Sequence, residues 1–264
     1  MSPPQDSFDS PPVAVVGAGA VGTTLARALV ESGHRVEAVL SRTAASAQTL
    51  ADRVGAPVAG SSWEALPPSV RLVWICVPDD AIASVAAALA EVDHPWPDTI
   101  VAHTSGAKTA AALAPLGEQG AATMSFHPLQ TFTEDTAPDA LKGIVVGLEG
   151  DDRAVAAGEA LARRVGARPI RLTPGDKARY HAAAALASNG LVALLGVVEE
   201  LLNASGTGMD PSSSALDLIG PLVDQTLDNL QQKTPEGALT GPVARGDEET
   251  VQGHLETLAA EVPR

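Results

Sequence analysis

Apolar residues follow two rhythms along this chain. In the first two-thirds, short continuous runs such as Val13–Val16 and Leu72–Val77 alternate with alanine-rich stretches whose apolar positions recur at helical spacing. Uninterrupted runs of this kind are expected of strands covered on both faces. The pattern predicts strands at Val13–Val16, Arg35–Leu40, Leu72–Val77, Thr99–His103, Ala121–Phe126, Gly143–Leu148 and Arg168–Leu172. It places helices at Val21–Ser32, Ala44–Val54, Asp80–Val92 and Asp152–Val165. Strands alternating with helices imply a parallel, doubly wound sheet. After Pro174 the rhythm changes. Asp176–Asn203 reads as one helix whose only break signal is Gly190, and Ser212–Lys233 and Glu248–Glu261 read as two more. No strand signal occurs there. The expected fold class is therefore α/β: a doubly wound sheet over residues 12–173, an all-α domain over 174–264, and a disordered tail over 1–11.

Composition narrows the surroundings. No uninterrupted apolar run reaches the roughly 18–20 residues of a membrane span. The first dozen residues lack the basic start and apolar stretch of a secretory signal. A single cysteine, Cys76, cannot staple a fold, so a reducing, cytoplasmic setting is expected. Its place inside an apolar strand marks it as a buried, inert thiol. A net charge of −15 disfavours nucleic acid and anionic membranes as partners. In such a field, an anionic ligand needs a local device to hold it.

The sequence supplies that device at Gly17-Ala18-Gly19-Ala20-Val21-Gly22, a GxGxxG directly after a strand and directly before a helix. Gly17 permits the tight turn, Gly19 lets a pyrophosphate approach the backbone, and Gly22 lets the helix pack close to the strand. The following helix then offers free N–H groups to phosphates. This is the fingerprint of a dinucleotide-binding Rossmann domain. The second strand runs into Ser41, Arg42 and Thr43, where NAD binders carry an acidic residue. An arginine beside hydroxyls suits a 2′-phosphate, which favours NADP with NAD as the alternative. Glu37 lies in mid-strand, away from that position.

Further motifs fall at strand ends, where ligands bind in open α/β sheets. Val77 and Pro78 close the apolar strand. HTSGA (103–107) brings His103 and also Ser105 and Gly106, which can offer a hydroxyl and an N–H to substrate or to the nicotinamide amide. SFHPLQTF (125–132) brings His127. Both histidines are acid–base or hydrogen-bonding candidates. A metal site at His103, His127 and His181 is disfavoured because no carboxylate or cysteine has ligand spacing around them. On the long helix, Lys177, His181 and Ser188 fall within a stripe of roughly 40° at α-helical winding, with Asn189 at its edge. Arg245, in the turn LTGPVARGD, is a candidate clamp for a substrate anion.

Taken together, GAGAVG, ICVPDDAI, HTSGA, SFHPLQTF, YHAAAALASN and LTGPVARGD resemble a bacterial family of Rossmann-like proteins with a C-terminal helical domain of unknown function. The resemblance spans about residues 12–260. That family is similar to 6-phosphogluconate dehydrogenase, the β-hydroxyacid dehydrogenases and pyrroline-carboxylate reductase, and its members resemble deazaflavin-linked NADP reductases. The β-hydroxyacid dehydrogenases carry a lysine followed four residues later by asparagine, whereas here Lys177 is followed by His181.

The expected activity is NADP-dependent hydride transfer to or from a small carbonyl, imine or hydroxy compound. His181 or Lys177 would be the proton donor, with Ser105, His127 and Asn189 positioning substrate. His181 is the better tuned of the two, since an unperturbed histidine titrates near pH 6.5. The alternatives are a non-catalytic NADP sensor and a deazaflavin-linked NADP oxidoreductase. The apolar faces of Leu191–Leu202 and Ala215–Leu230 predict a homodimer built from the C-terminal helices.

Overall fold

A computed structural model describes residues 11–204 and 214–262. By contacts the chain divides into two compact units, Met1–Ala184 and Ala185–Arg264. Most of the tail expected at 1–11, and the start of the helix expected at Ser212, lie outside the described residues.

The first unit is built on an eight-stranded sheet of order β3-β2-β1-β4-β5-β6-β7-β8. Its strands are β1 (Val13–Val16), β2 (Val36–Leu40), β3 (Val58–Gly60), β4 (Leu72–Ile75), β5 (Ile100–His103), β6 (Ala122–Pro128), β7 (Val145–Gly150) and β8 (Arg168–Arg171). Helices α1 (Ala20–Glu31), α2 (Ala44–Val54) and α5 (Asp152–Arg164) pack on one face; α3 (Ile82–Ala90) and the short α4 (Ala114–Glu118) pack on the other. Alternate residues feed the two faces. Val13, Val15 and Trp74 join the first core, where Trp74 meets Phe126 edge to face, while Ala14, Val16 and Ile75 join the second. Every residue of β1, β2 and β4 is buried, which is why those segments, apart from Glu37 of β2, are apolar without alternation. The buried Glu37 pairs with Arg35 and accepts from Ser69, a use within the strand that leaves it off the rim.

Two details depart from the sequence pattern. β3 has only three residues, Val-Ala-Gly, too short a run to announce itself. β7 runs antiparallel to β6, not parallel. A parallel neighbour needs a crossover, usually a helix, but only a 3₁₀ turn at Pro138–Leu141 intervenes between Pro128 and Val145. β8 returns parallel to β7 because α5 supplies the crossover.

α6 (Lys177–Ala185) closes the first unit. In the second, a π-helical turn at Leu186–Gly190 precedes α7 (Leu191–Ala204), followed by α8 (Ala215–Gln232), α9 (Pro235–Ala238), α10 (Gly241–Arg245) and α11 (Glu248–Glu261). α7 lies against α8 and α11. A capping box between Ser214 and Asp217 starts α8, and Asp247 caps α11. The helical stretch Lys177–Ala204 is long and apolar enough to cross a membrane by length and composition. No such span was expected. Its alanines and leucines are interrupted by uncharged polar residues, so no unbroken apolar run reveals it.

Candidate active site

The strands β1, β4 and β5 end in register, Val16 pairing with Ile75 and Ile75 with His103, and His103 pairs with Ser125 of β6, which runs on to Pro128. Their continuations, starting at Gly17, Cys76, Thr104 and Phe126, therefore share one rim. At about 4.8 Å per strand, that rim is about 14 Å long from β1 to β6.

At one end stands the glycine turn. Gly17 has φ +107°, and a Cβ there would overlap the Cys76 carbonyl. A Cβ on Gly22 would overlap the Gly17 carbonyl, so both glycines are required by close backbone approach. Gly19 has open space where a Cβ would sit. It caps α1, which has no side-chain cap and no acidic residue in its first turn, so the N-terminal N–H groups are left for a ligand. Beside it, Gly19, Ala20 and Thr23 border a polar cavity of about 270 Å³ together with Ser46, Thr49 and Arg53 of α2. Glu134 and Asp135 of the β6–β7 loop close its other side. Arg53 is a cation that the sequence pattern did not single out.

At the end of β2, Ser41 donates its N–H to the Gly60 carbonyl. Thr43 caps α2 by accepting from the Ser46 N–H, and Arg42 is exposed between them. Val77 and Pro78 follow β4 on the rim. Burial pushes the Cys76 thiol up to about 12, so it stays protonated and inert.

The HTSGA turn is built from within. His103 is fully buried; its Nδ1 accepts from the Ser105 N–H at 3.2 Å, which leaves Nε2 to donate to the Thr109 carbonyl at 3.0 Å. Burial holds it at about 4, hence neutral. With both nitrogens engaged, His103 organises the turn. The Ser105 hydroxyl accepts from the N–H groups of Ala107 and Lys108.

Lys177, Tyr180 and His181 of α6 surround this turn. Lys177 is 1 % exposed, and its Nζ donates to the Ser105 carbonyl at 2.9 Å and to Ser125 Oγ at 2.5 Å. Ser125 in turn donates to the Ser105 carbonyl at 3.1 Å. Burial lowers the ammonium to about 8, partly offset by the charges of Glu149 and Asp79. The buried Glu149 accepts from the Ala110 N–H. His127 Nδ1 lies 3.3 Å from the Tyr180 hydroxyl, and burial lowers this imidazole to about 4, reinforced by Lys177 and His181. Its ring meets those of Tyr180 and His181 edge to face at 5.5 and 5.9 Å. Gly106 sits between the histidines. A Cβ there would lie 2.5 Å from His181 Nδ1 and 2.7 Å from His127 Nε2. His181 Nδ1 is buried without a hydrogen-bond partner among the described residues.

The structure thus gathers Ser105, His127, Lys177 and His181 around one loop. Ser125, Tyr180, Glu149 and Gly106 complete the cluster, and of these the sequence reading had marked Gly106 alone. Tyr180, the only tyrosine of the chain, three residues after Lys177, was a usable signal. Ser188 and Asn189 fall in the π turn of the second unit. The stripe assumed α-helical winding throughout, so the angular count holds for Lys177 and His181 but not for these two. Arg245 lies exposed in the last turn of α10. Among the described residues no cluster of three or more His, Cys, Asp or Glu could hold a metal ion.

Comparison with known proteins agrees with this architecture. Residues 4–128 match the Rossmann-like domain, and residues 144–264 match a domain of unknown function, DUF2520. No protein of curated function matches. Among solved structures, a Bacteroides fragilis protein provisionally described as an NADP oxidoreductase is 27 % identical with a TM-score of 0.78, over 97 % of this chain and 93 % of that one. Protein TM1727 of Thermotoga maritima is 26 % identical with a TM-score of 0.74, over 96 % and 92 %. The imine reductase of Myxococcus stipitatus, solved with NADP+, shares the fold at 15 % identity and a TM-score of 0.66, over 95 % and 88 %. The chain joins a Rossmann-like domain to a domain of the DUF2520 family.

Proposed function

We propose that the protein is an NADP-dependent oxidoreductase acting on a small carbonyl, imine or hydroxy compound. The observation that carries this reading is the shared rim. A glycine turn that admits no Cβ at Gly17 or Gly22 and a cluster of proton-bearing side chains stand toward the carboxyl ends of adjacent strands. The cradle and the uncapped start of α1 fit a pyrophosphate, with Gly17, Gly19 and Gly22 holding it and Ser41, Arg42 and Thr43 at the ribose end. The Bacteroides protein, described as an NADP oxidoreductase, and the NADP+-bound imine reductase support the choice of cofactor.

When bound, nicotinamide supplies or accepts the hydride; the chain must orient the substrate and manage a proton. Negative charge building on a reduced oxygen or nitrogen needs a donor. Lys177 is an unsuitable one, since it is enclosed and commits two of its three N–H groups to Ser105 and Ser125. It acts by fixing the turn and placing a positive charge beneath it. His127, held neutral, donates a hydrogen bond through Nε2 while Nδ1 accepts from Tyr180. His181 has an uncommitted ring nitrogen beside Gly106 and is assigned the proton exchange. Ser105 is assigned to substrate positioning.

Titration of NADPH and NADH by nicotinamide fluorescence, followed by a carbonyl and imine panel, tests the reading. Tighter binding of NADPH with turnover of at least one class is expected. Binding without any turnover supports the sensor instead.

A further inference from the structure

A cavity of about 630 Å³ lies at the opposite, amino edge of the sheet. There the starts of β1, β4 and β5 meet the inner side of α5. Its volume falls in the range of small-molecule sites, roughly 300–1,000 Å³. The floor is apolar, formed by Trp74, Ile100, Met124 and Leu161. The border carries Arg71, Arg153 and Arg164, from the β4 approach and from α5, with Asp98 as the acidic residue among the described lining residues.

In a chain with net charge −15, three of thirteen arginines converging on one cavity is a departure from the general field. Arg71 donates to the carbonyls of Pro68 and Val70, and Arg153 to those of Pro97 and Thr99. Neither has a carboxylate partner among the described residues, and the backbone bonds fix both charges in place. The indole N–H of Trp74, a fully buried residue, finds no acceptor among the described residues. Buried donors normally have one. An apolar floor, an unused buried donor and a cationic border together describe the recognition of a molecule with a flat or extended apolar body and a negative end.

We propose that this cavity binds a small amphiphilic anion, an aryl or short-chain acyl carboxylate, at a site separate from the dinucleotide rim. The apolar body lies on Ile100, Met124 and Leu161, and the carboxylate meets Arg71 and Arg153.

The test is calorimetric titration of the full chain with 2-naphthoate, and with neutral 2-naphthalenemethanol as control. One saturable site is expected for the carboxylate, at least tenfold tighter than for the alcohol, in keeping with charge-assisted bonds to arginine. Arg71→Gln and Arg153→Gln should each weaken 2-naphthoate about tenfold. Ala160→Trp, at an exposed position of α5 bordering the cavity, should abolish binding by filling it while leaving NADPH affinity unchanged. That NADPH titration separates failure here from failure of the proposed activity. No saturable binding, equal affinity for the alcohol, or binding that survives Ala160→Trp would overturn the assignment. It would also fall if the parent chain binds no probe but Phe8→Ala does, because the occupant is then the chain's own N-terminal segment. Binding only by a monomer released from a larger assembly would make the occupant a second copy.

Discussion

Replacing Lys177 with methionine isolates the buried ammonium beneath the HTSGA turn. In the folded chain this lysine titrates at about 8, against an ordinary 10.5, mainly because burial disfavours its charge. At about 1.4 kcal/mol per pH unit, keeping it charged costs about 3 kcal/mol. Against this stand two charge-assisted hydrogen bonds, to Ser105 and Ser125, at about 1.5–3 kcal/mol each. At neutral pH the terms largely offset, and Lys177→Met should lose only about 0–3 kcal/mol. The pH dependence is more telling. Below about pH 8 both folded and unfolded chains hold the proton, and the difference between wild type and variant stays level. Between 8 and 10.5 the folded chain has released a proton that the unfolded chain still binds, so wild-type stability rises with pH. Tyr180 is present in both proteins and cancels in the comparison. Urea unfolding can be followed by tryptophan fluorescence, since Trp63, Trp74 and Trp96 all lie in the first unit. Between pH 7.5 and 10, wild type should gain about 2–3 kcal/mol on the variant. A difference that stays constant or shrinks over that range refutes the buried, depressed lysine.

Gly106→Ala should displace both histidines, because its Cβ would lie within 2.7 Å of each; steady-state kinetics should show turnover reduced at least tenfold with NADPH affinity unchanged. Arg42→Ala should cut the preference for NADPH over NADH by about tenfold or more in fluorescence titrations, the effect of losing a charge-assisted contact. His103 is held at about 4, so unfolding takes up a proton below pH 6.5 and this residue alone removes about 3 kcal/mol of stability as pH falls from 6.5 to 4, with no further loss below that; the acid unfolding curve of His103→Gln should lack that component. No described residue of the second unit is buried, and Val192, Leu194, Leu218 and Leu222 are each more than half exposed. Light scattering should therefore report a dimer at micromolar concentration, because patches of this kind mark an interface.

The sheet was legible because strands buried on both faces write their burial as unbroken apolar runs. The glycine turn was legible because Gly17 and Gly22 are fixed by backbone contact, which no other side chain satisfies. The antiparallel β7 was hidden because strand direction is set by what the connection lacks, a crossover helix, and not by the strand's own residues. In the site, Lys177 and His181 could be found from helical spacing, since α6 winds regularly as far as Ala185. Beyond it the π turn broke the count for Ser188 and Asn189. The roles of Ser125, Glu149 and Tyr180 depend on cross-strand pairing and on packing of α6 against β6 and β7, which no local pattern carries. The division of labour between the histidines was likewise invisible. His103 is satisfied on both nitrogens, while His181 is left with one unused.

Single-turnover reduction with 4-deuterated NADPH tests the central claim most directly, using whichever imine or carbonyl compound the protein turns over. The account predicts one deuterium carried directly into the product by wild type, and loss of that transfer in His181→Ala with NADPH still bound. Turnover of no compound, deuterium lost to solvent, or an undiminished rate in His181→Ala would contradict it.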